Sequence, residues 1–184
     1  MFEKYDGVRG FWNPNKRAFF SRFGKRFSIP EDIVNKMPQD LFLDGEFWFG
    51  RESFQEASKI SSRKISSQID WSGFRYMVFD VPLDKGTYQE RYAKLGTSTI
   101  ITILISPNNL FIFYYTVEQI DSEDHPFIKV APRTICAGVQ HLQEFFQDVI
   151  DKGGEGLILR DPTSPYVPGR SPGYLKHKVT SPYL

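Results

Sequence analysis

Cysteine is nearly absent from this chain. Among 184 residues there is one, Cys136. No internal disulfide can form, which suits a reducing compartment. With no second cysteine, a thiolate metal site is excluded, and the apolar neighbours Ile135 and Ala137 predict that Cys136 is a core thiol. No run of about 18 apolar residues exists, so no membrane-spanning helix is expected. Charge begins at Glu3, so the N-terminus lacks the pattern of a secretory leader. Net charge is only +1 and names no partner. Acids are scarce at one end. Residues 1–30 hold Lys4, Arg9, Lys16, Arg17, Arg22, Lys25 and Arg26 against only Glu3 and Asp6. A basic N-terminal third points to a polyanion or phosphate partner, or to a solvated basic face.

Aromatic residues are plentiful, 16% of the chain with 17 Phe and 9 Tyr. Such a chain can bury a core and is not disordered. "GVRGFW", "NPNK" and "RAFFSR" predict strand, turn and strand, and "FGKRF" a further tight turn. A short helix is expected over about 30–37 with Ser28 as its cap. "DLFLDGEFWFG", "FRYMVFDVP" and "LFIFYYTV" read as strands, and 52–60 and 87–95 as helices. The acids Glu118, Asp121, Glu123 and Asp124, two prolines and little periodicity predict an exposed excursion over 118–132, followed by a strand near Thr134. Val139, Leu142, Phe145, Phe146, Val149 and Ile150 recur at helical spacing over 138–152, and Gly153-Gly154 ends that helix. "EGLILR" and "YLKHKV" are strands separated by a Pro/Gly/Ser loop. Irregular alternation with hairpins predicts an α+β fold of mainly antiparallel sheets with flanking helices.

Five segments stand in a telling order: "KYDGVR" (4–9), "LDGEFW" (43–48), "FRYMVFD" (74–80), "EGLILR" (155–160) and "LKHK" (175–178). Each alone is a weak signal. Together they resemble the motifs of covalent nucleotidyltransferases, most closely the adenylation domain of ATP-dependent DNA ligases, over residues 3–178. The resemblance implies that family's ATP-grasp-like fold and the sealing of nicked DNA in replication, repair and recombination.

What it implies for residues follows motif by motif. Lys4 attacks the α-phosphate of ATP and becomes a lysyl-AMP. A free lysine is mostly protonated at neutral pH, so nearby cations, burial or a carboxylate must free its amine. Lys176 and Lys178 supply cations at the α-phosphate. Two apart on a strand, they share a face while His177 points away. Glu46 contacts the ribose hydroxyls. Phe79 stacks on the adenine, and Ile158 covers its other face. Glu155 holds a divalent metal, Mg²⁺ or Mn²⁺, and Asp6 acts near the nick 3′-hydroxyl and its metal. Arg9 and Arg22 contact phosphates of the nicked DNA, and Lys16, Arg17, Lys25 and Arg26 widen that surface. Asp80 is read as structural.

The resemblance also implies more chain before the lysine and an OB-fold domain after the last motif. Here three residues precede Lys4 and six follow Lys178. The acidic segment 116–132 is also longer than the family connection needs. The expectation is therefore a single adenylation-like domain over 1–184, with self-adenylation impaired more than sealing. Expected partners are ATP and nicked duplex DNA, with no membrane, for a monomer in the nucleus or cytoplasm. Two alternatives stay open. One is an mRNA guanylyltransferase-like capping domain. The other is a non-catalytic nucleotide- or DNA-binding relic or gene fragment.

Overall fold

The computed structural model describes residues 1–62, 66–96, 98–106, 109–117 and 125–179. The acidic stretch 118–124 lies outside them.

A five-stranded sheet is built around β2 (Val8–Asn13), β3 (Ala18–Phe20), β4 (Leu43–Trp48), β5 (Arg75–Asp80) and β8 (Ile128–Val130). Its order is β3-β2-β4-β5-β8. All neighbours are antiparallel except β5 and β8, which run parallel. A second sheet joins β1 (Phe2–Glu3), β9 (Gly156–Arg160) and β10 (Tyr174–Lys178) in the order β1-β9-β10, all antiparallel. A separate hairpin pairs β6 (Ser98–Ser106) with β7 (Asn109–Val117). The mainly antiparallel α+β expectation holds, with one parallel pair added.

Local chemistry explains the elements. The β2–β3 hairpin turns where the Asn13 side chain accepts the Lys16 N–H at 3.0 Å and Pro14 opens a short 3-10 turn. Strand β5 is buried at five of its six positions, the mark of a strand covered on both faces. Trp12, Phe19, Phe47, Phe74 and Tyr76 pack beneath the sheet in the largest core cluster. Gly10 is required there, because a Cβ would enter the Phe47 ring.

Among the described residues the α-helices are α1 (Glu31–Val34), α2 (Phe54–Ser62), α3 (Tyr88–Ala93) and α4 (Val139–Asp151). At α3, Thr87 and Glu90 form a reciprocal capping box. The stripe Leu142, Phe145, Phe146 and Val149 of α4 covers Met1, Leu157 and Leu159. That packing locks the second sheet from outside.

Several expectations are corrected. Ser28 does not cap α1; Pro30 occupies the cap position without a side-chain bond. No strand lies at Thr134. The strand comes earlier, at Ile128–Val130, because β5 offers a free edge there, and the Thr134 N–H instead donates to the Met1 carbonyl at 2.8 Å. Val139 begins α4 but is 72% exposed, outside its apolar stripe. Cys136 is exposed, with its thiol donating to the Gly138 carbonyl at 3.4 Å. Its apolar neighbours misled because the segment 132–138 is a surface loop. Strand β6, "STIITILIS", is an addition to the expected strands, which include its hairpin partner β7.

Candidate active site

The two sheets meet around a cavity of about 610 Å³. Lys4 enters it at the end of β1, where its N–H donates to the Gly156 carbonyl at 2.8 Å. Pairing of Phe2 with Ile158 and Glu3 with Leu157 brings the chain's start to β9, which follows Glu155. The Lys4 Nζ then donates to Glu155 Oε2, with both side chains less than one-third exposed. Glu155 thus sits on the lysine itself in this structure.

Asp6 lines the same cavity. Burial pushes its carboxyl upward, the charge of Glu155 adds to that rise, and Lys4 opposes it. Two carboxylates close enough to sense one another, beside space for a phosphate, fit a hard divalent ion completed by water and phosphate oxygens. Among the described residues no cluster of three acid, histidine or cysteine ligands exists. A cation here would therefore depend on a ligand's own oxygens.

Glu46 faces the cavity from β4, directly opposite Arg9 on β2. Burial pushes its carboxyl up to about 8, although Arg9 and Lys4 pull the other way. Near neutral pH it carries a proton, so it can donate as well as accept a hydrogen bond.

Phe79 and Ile158 both line the cavity but are each only 3% exposed. Phe2 stacks on Phe79 at 5.9 Å and 19°, and it pairs with Ile158 across the strands. The two expected base-contacting residues are thus brought together with Phe2 packed between their strands.

Lys176 lies opposite Ile158 and lines the cavity; Lys178 lies opposite Gly156 and does not line it. Alternation along β10 holds, with the His177 ring packed on Phe146 at 4.3 Å on the other face. Alternation alone could not place Lys178, which stands about 7 Å farther along the strand.

Arg9 and Arg22 both line the cavity, in different states. Arg22 is exposed. Arg9 makes a two-pronged pair with Asp44, at 2.9 and 2.5 Å. Burial works against the Arg9 charge, but the Asp44 carboxylate outweighs it and holds the guanidinium protonated. Asp44 is fully buried and also accepts the Tyr166 hydroxyl at 3.0 Å. Neither Asp44 nor Tyr166 stood out in the sequence. The available signal was an acid between Leu43 and Gly45 on an apolar strand, a position that demands a cation. Asp80 is structural as read: it is fully buried and accepts Arg91 at 2.6 Å and Arg160 at 2.6 Å.

A half-buried lysine facing a carboxylate, with a glutamate and a further lysine lining the same cavity between two mainly antiparallel sheets, fits a covalent nucleotidyltransferase type of site. The sequence model of the family described as the ATP dependent DNA ligase domain matches residues 1–178. This chain belongs to that family. A DNA ligase of Haemophilus influenzae is 33% identical over 179 residues, a match covering 97% of this chain and 57% of that protein. A solved structure from work on Lig E DNA ligases, described as binding DNA with a minimal scaffold, superposes with a TM-score of 0.74 at 26% identity. It covers 97% of this chain and 60% of that one. The Chlorella virus DNA ligase-adenylate shares the fold, with a TM-score of 0.67 at 22% identity over 96% of this chain and 59% of that one. The chain spans little more than half the length of the curated relative it matches. Among the described residues no helix is long and apolar enough to cross a membrane.

Proposed function

We propose that the chain is the adenylation domain of an ATP-dependent DNA ligase, acting as a monomer on nicked duplex DNA. The observation that carries this reading is the contact of Lys4 with Glu155 inside a cavity that also holds Glu46 and Lys176.

In the first step Lys4 Nζ attacks the α-phosphorus of ATP. A nitrogen–phosphorus bond forms, the bond to the bridging oxygen breaks, and pyrophosphate leaves. Lysine attacks as the free amine, and Glu155, already in contact with Nζ, is placed to take its proton. Lys176 offsets charge building on the phosphoryl oxygens. Glu46, bearing a proton near neutral pH, holds the ribose hydroxyls. Phe79 and Ile158 form the apolar wall for the base. Asp6 and Glu155 would hold Mg²⁺ or Mn²⁺, which supplies charge neutralisation at the phosphate when bound. The adenylate then passes to the 5′-phosphate of a nick, and the 3′-hydroxyl displaces AMP to close the strand. Arg9 and Arg22 contact the DNA phosphates, and Lys16, Arg17, Lys25 and Arg26 extend that basic surface. Lys178 contributes only if the strand end shifts toward the cavity.

The test is intact-protein mass after incubation with Mg²⁺ and ATP or GTP, followed by sealing of a pre-adenylated nick. AMP on Lys4 and closure of the nick support the reading. A GMP adduct would favour a capping enzyme. Absence of both adduct and sealing would leave a binding module.

A further inference from the structure

Phe23 is 83% exposed, more than any other large apolar side chain among the described residues. A lone exposed phenylalanine is ordinary. Its setting here is not. The turn that carries it is closed by hydrogen bonds: Ser21 N–H to the Lys25 carbonyl at 2.8 Å, and Gly24 N–H to the Ser21 carbonyl at 2.9 Å. The Ser21 hydroxyl oxygen accepts the N–H of both Phe23 and Lys25 at 3.2 Å. Gly24 takes φ +77°, a conformation natural to glycine. Lys25 Nζ reaches the Ser61 carbonyl at 3.1 Å and ties the turn to α2. The ring is therefore held outward by a built turn.

The ring's position matters as much as its exposure. Phe23 lines the cavity containing Lys4 and also a second cavity of about 1030 Å³ that includes Arg160, Tyr166 and Arg170. It forms a ridge between them. Arg22 stacks over the ring at 4.7 Å and also lines both cavities, as does Lys176. A polyanion running from one cavity to the other must cross an aromatic edge with cations on either side. Duplex DNA matches this alternation, because its rows of phosphates flank apolar sugar faces and base edges.

We propose that Phe23 is a DNA-contacting residue whose ring packs against deoxyribose and base edges at the break, while Arg22 and the flanking cations hold the phosphates. The inference rests on the nicked-DNA part of the reading above and adds an apolar contact to it.

The experiment measures binding of the 184-residue chain to a nicked duplex carrying 2-aminopurine beside the break. Wild type is compared with Phe23→Ala and Phe23→Trp. Alanine should weaken binding by about tenfold and suppress the fluorescence change of the probe. Tryptophan should retain both. The melting temperature of Phe23→Ala should match wild type, since the ring is exposed. Three results would overturn the inference: alanine binding with wild-type affinity and signal, alanine and tryptophan failing equally, or wild type not binding nicked duplex at all. A fall in melting temperature would also overturn it, by showing that the ring is covered by protein. Sealing of a pre-adenylated nick by wild type, run in parallel, tests the ligase reading separately. Sealing indifferent to Phe23 sinks only the inference. Phe23-dependent binding without sealing sinks only the ligase reading.

Discussion

Lys4 donates to Glu155 across 151 positions of sequence. The contact exists because β1, two residues long, pairs with β9 and is pinned from behind by α4. The lysine is delivered by strand pairing, and its partner by the residue that opens β9.

Removal of either member should separate their roles. Lys4→Ala should give no AMP adduct in intact-protein mass spectra. Glu155→Gln keeps the shape of the side chain but cannot accept the lysine proton. It should slow adduct formation by about 10²–10⁴-fold, the usual worth of a positioned acid or base. Adduct formation by Glu155→Gln at the wild-type rate would remove Glu155 from the chemistry.

Glu46 predicts a pH dependence of stability. Its carboxyl titrates near 4.5 in the unfolded chain and at about 8 when folded. Between those values the folded protein holds a proton that the unfolded chain has released. Raising pH through this window therefore favours unfolding, and the penalty is complete above the upper value. Glu46→Gln should melt like wild type at acid pH and be more stable above about pH 8, by roughly 1–2 kcal/mol after allowance for water in the cavity. Thermal melts across the pH range check it, and a constant difference would contradict the assignment.

Asp80 neutralises two arginines that have little access to water: Arg91, fully buried, and Arg160, 6% exposed at its side chain. Asp80→Asn should cost about 3–5 kcal/mol, because buried guanidinium charge loses its counter-ion. Urea unfolding should show a lower midpoint at an unchanged slope.

Arg22 and Arg9 should behave differently. Arg22 is exposed, so Arg22→Ala should leave stability alone and lower the salt slope of DNA binding by about one. Arg9→Ala leaves the buried Asp44 without its cation, and with Tyr166 as its remaining side-chain donor among the described residues, so it should destabilise the fold as well. Equal melting temperatures for the two variants would refute this division.

Much of the candidate site was legible because its motifs are short and ordered. Asp-Gly-Glu on an alternating strand, Glu-Gly before an apolar run and paired lysines on a final strand each carry local information. Less legible were features created by contacts distant in sequence. Thr134 lies beside a hydrogen-bonding partner, Met1, that no local pattern reveals. The surroundings of Cys136 look apolar in sequence but belong to a surface loop. Lys178 shares its strand face with Lys176, yet the cavity ends before reaching it.

By itself the sequence determined the strands and helices with strong periodicity, the order of the motifs and the family. Those follow from side-chain spacing and residue type, which are properties of the chain alone. Only the tertiary structure decided that Glu155 meets Lys4, that Arg9 is committed to Asp44, and that Phe23 stands out between two cavities. The reason is physical: burial, pairing and charge coupling depend on which surfaces the sheets bring together, and that proximity is set by strand register and packing.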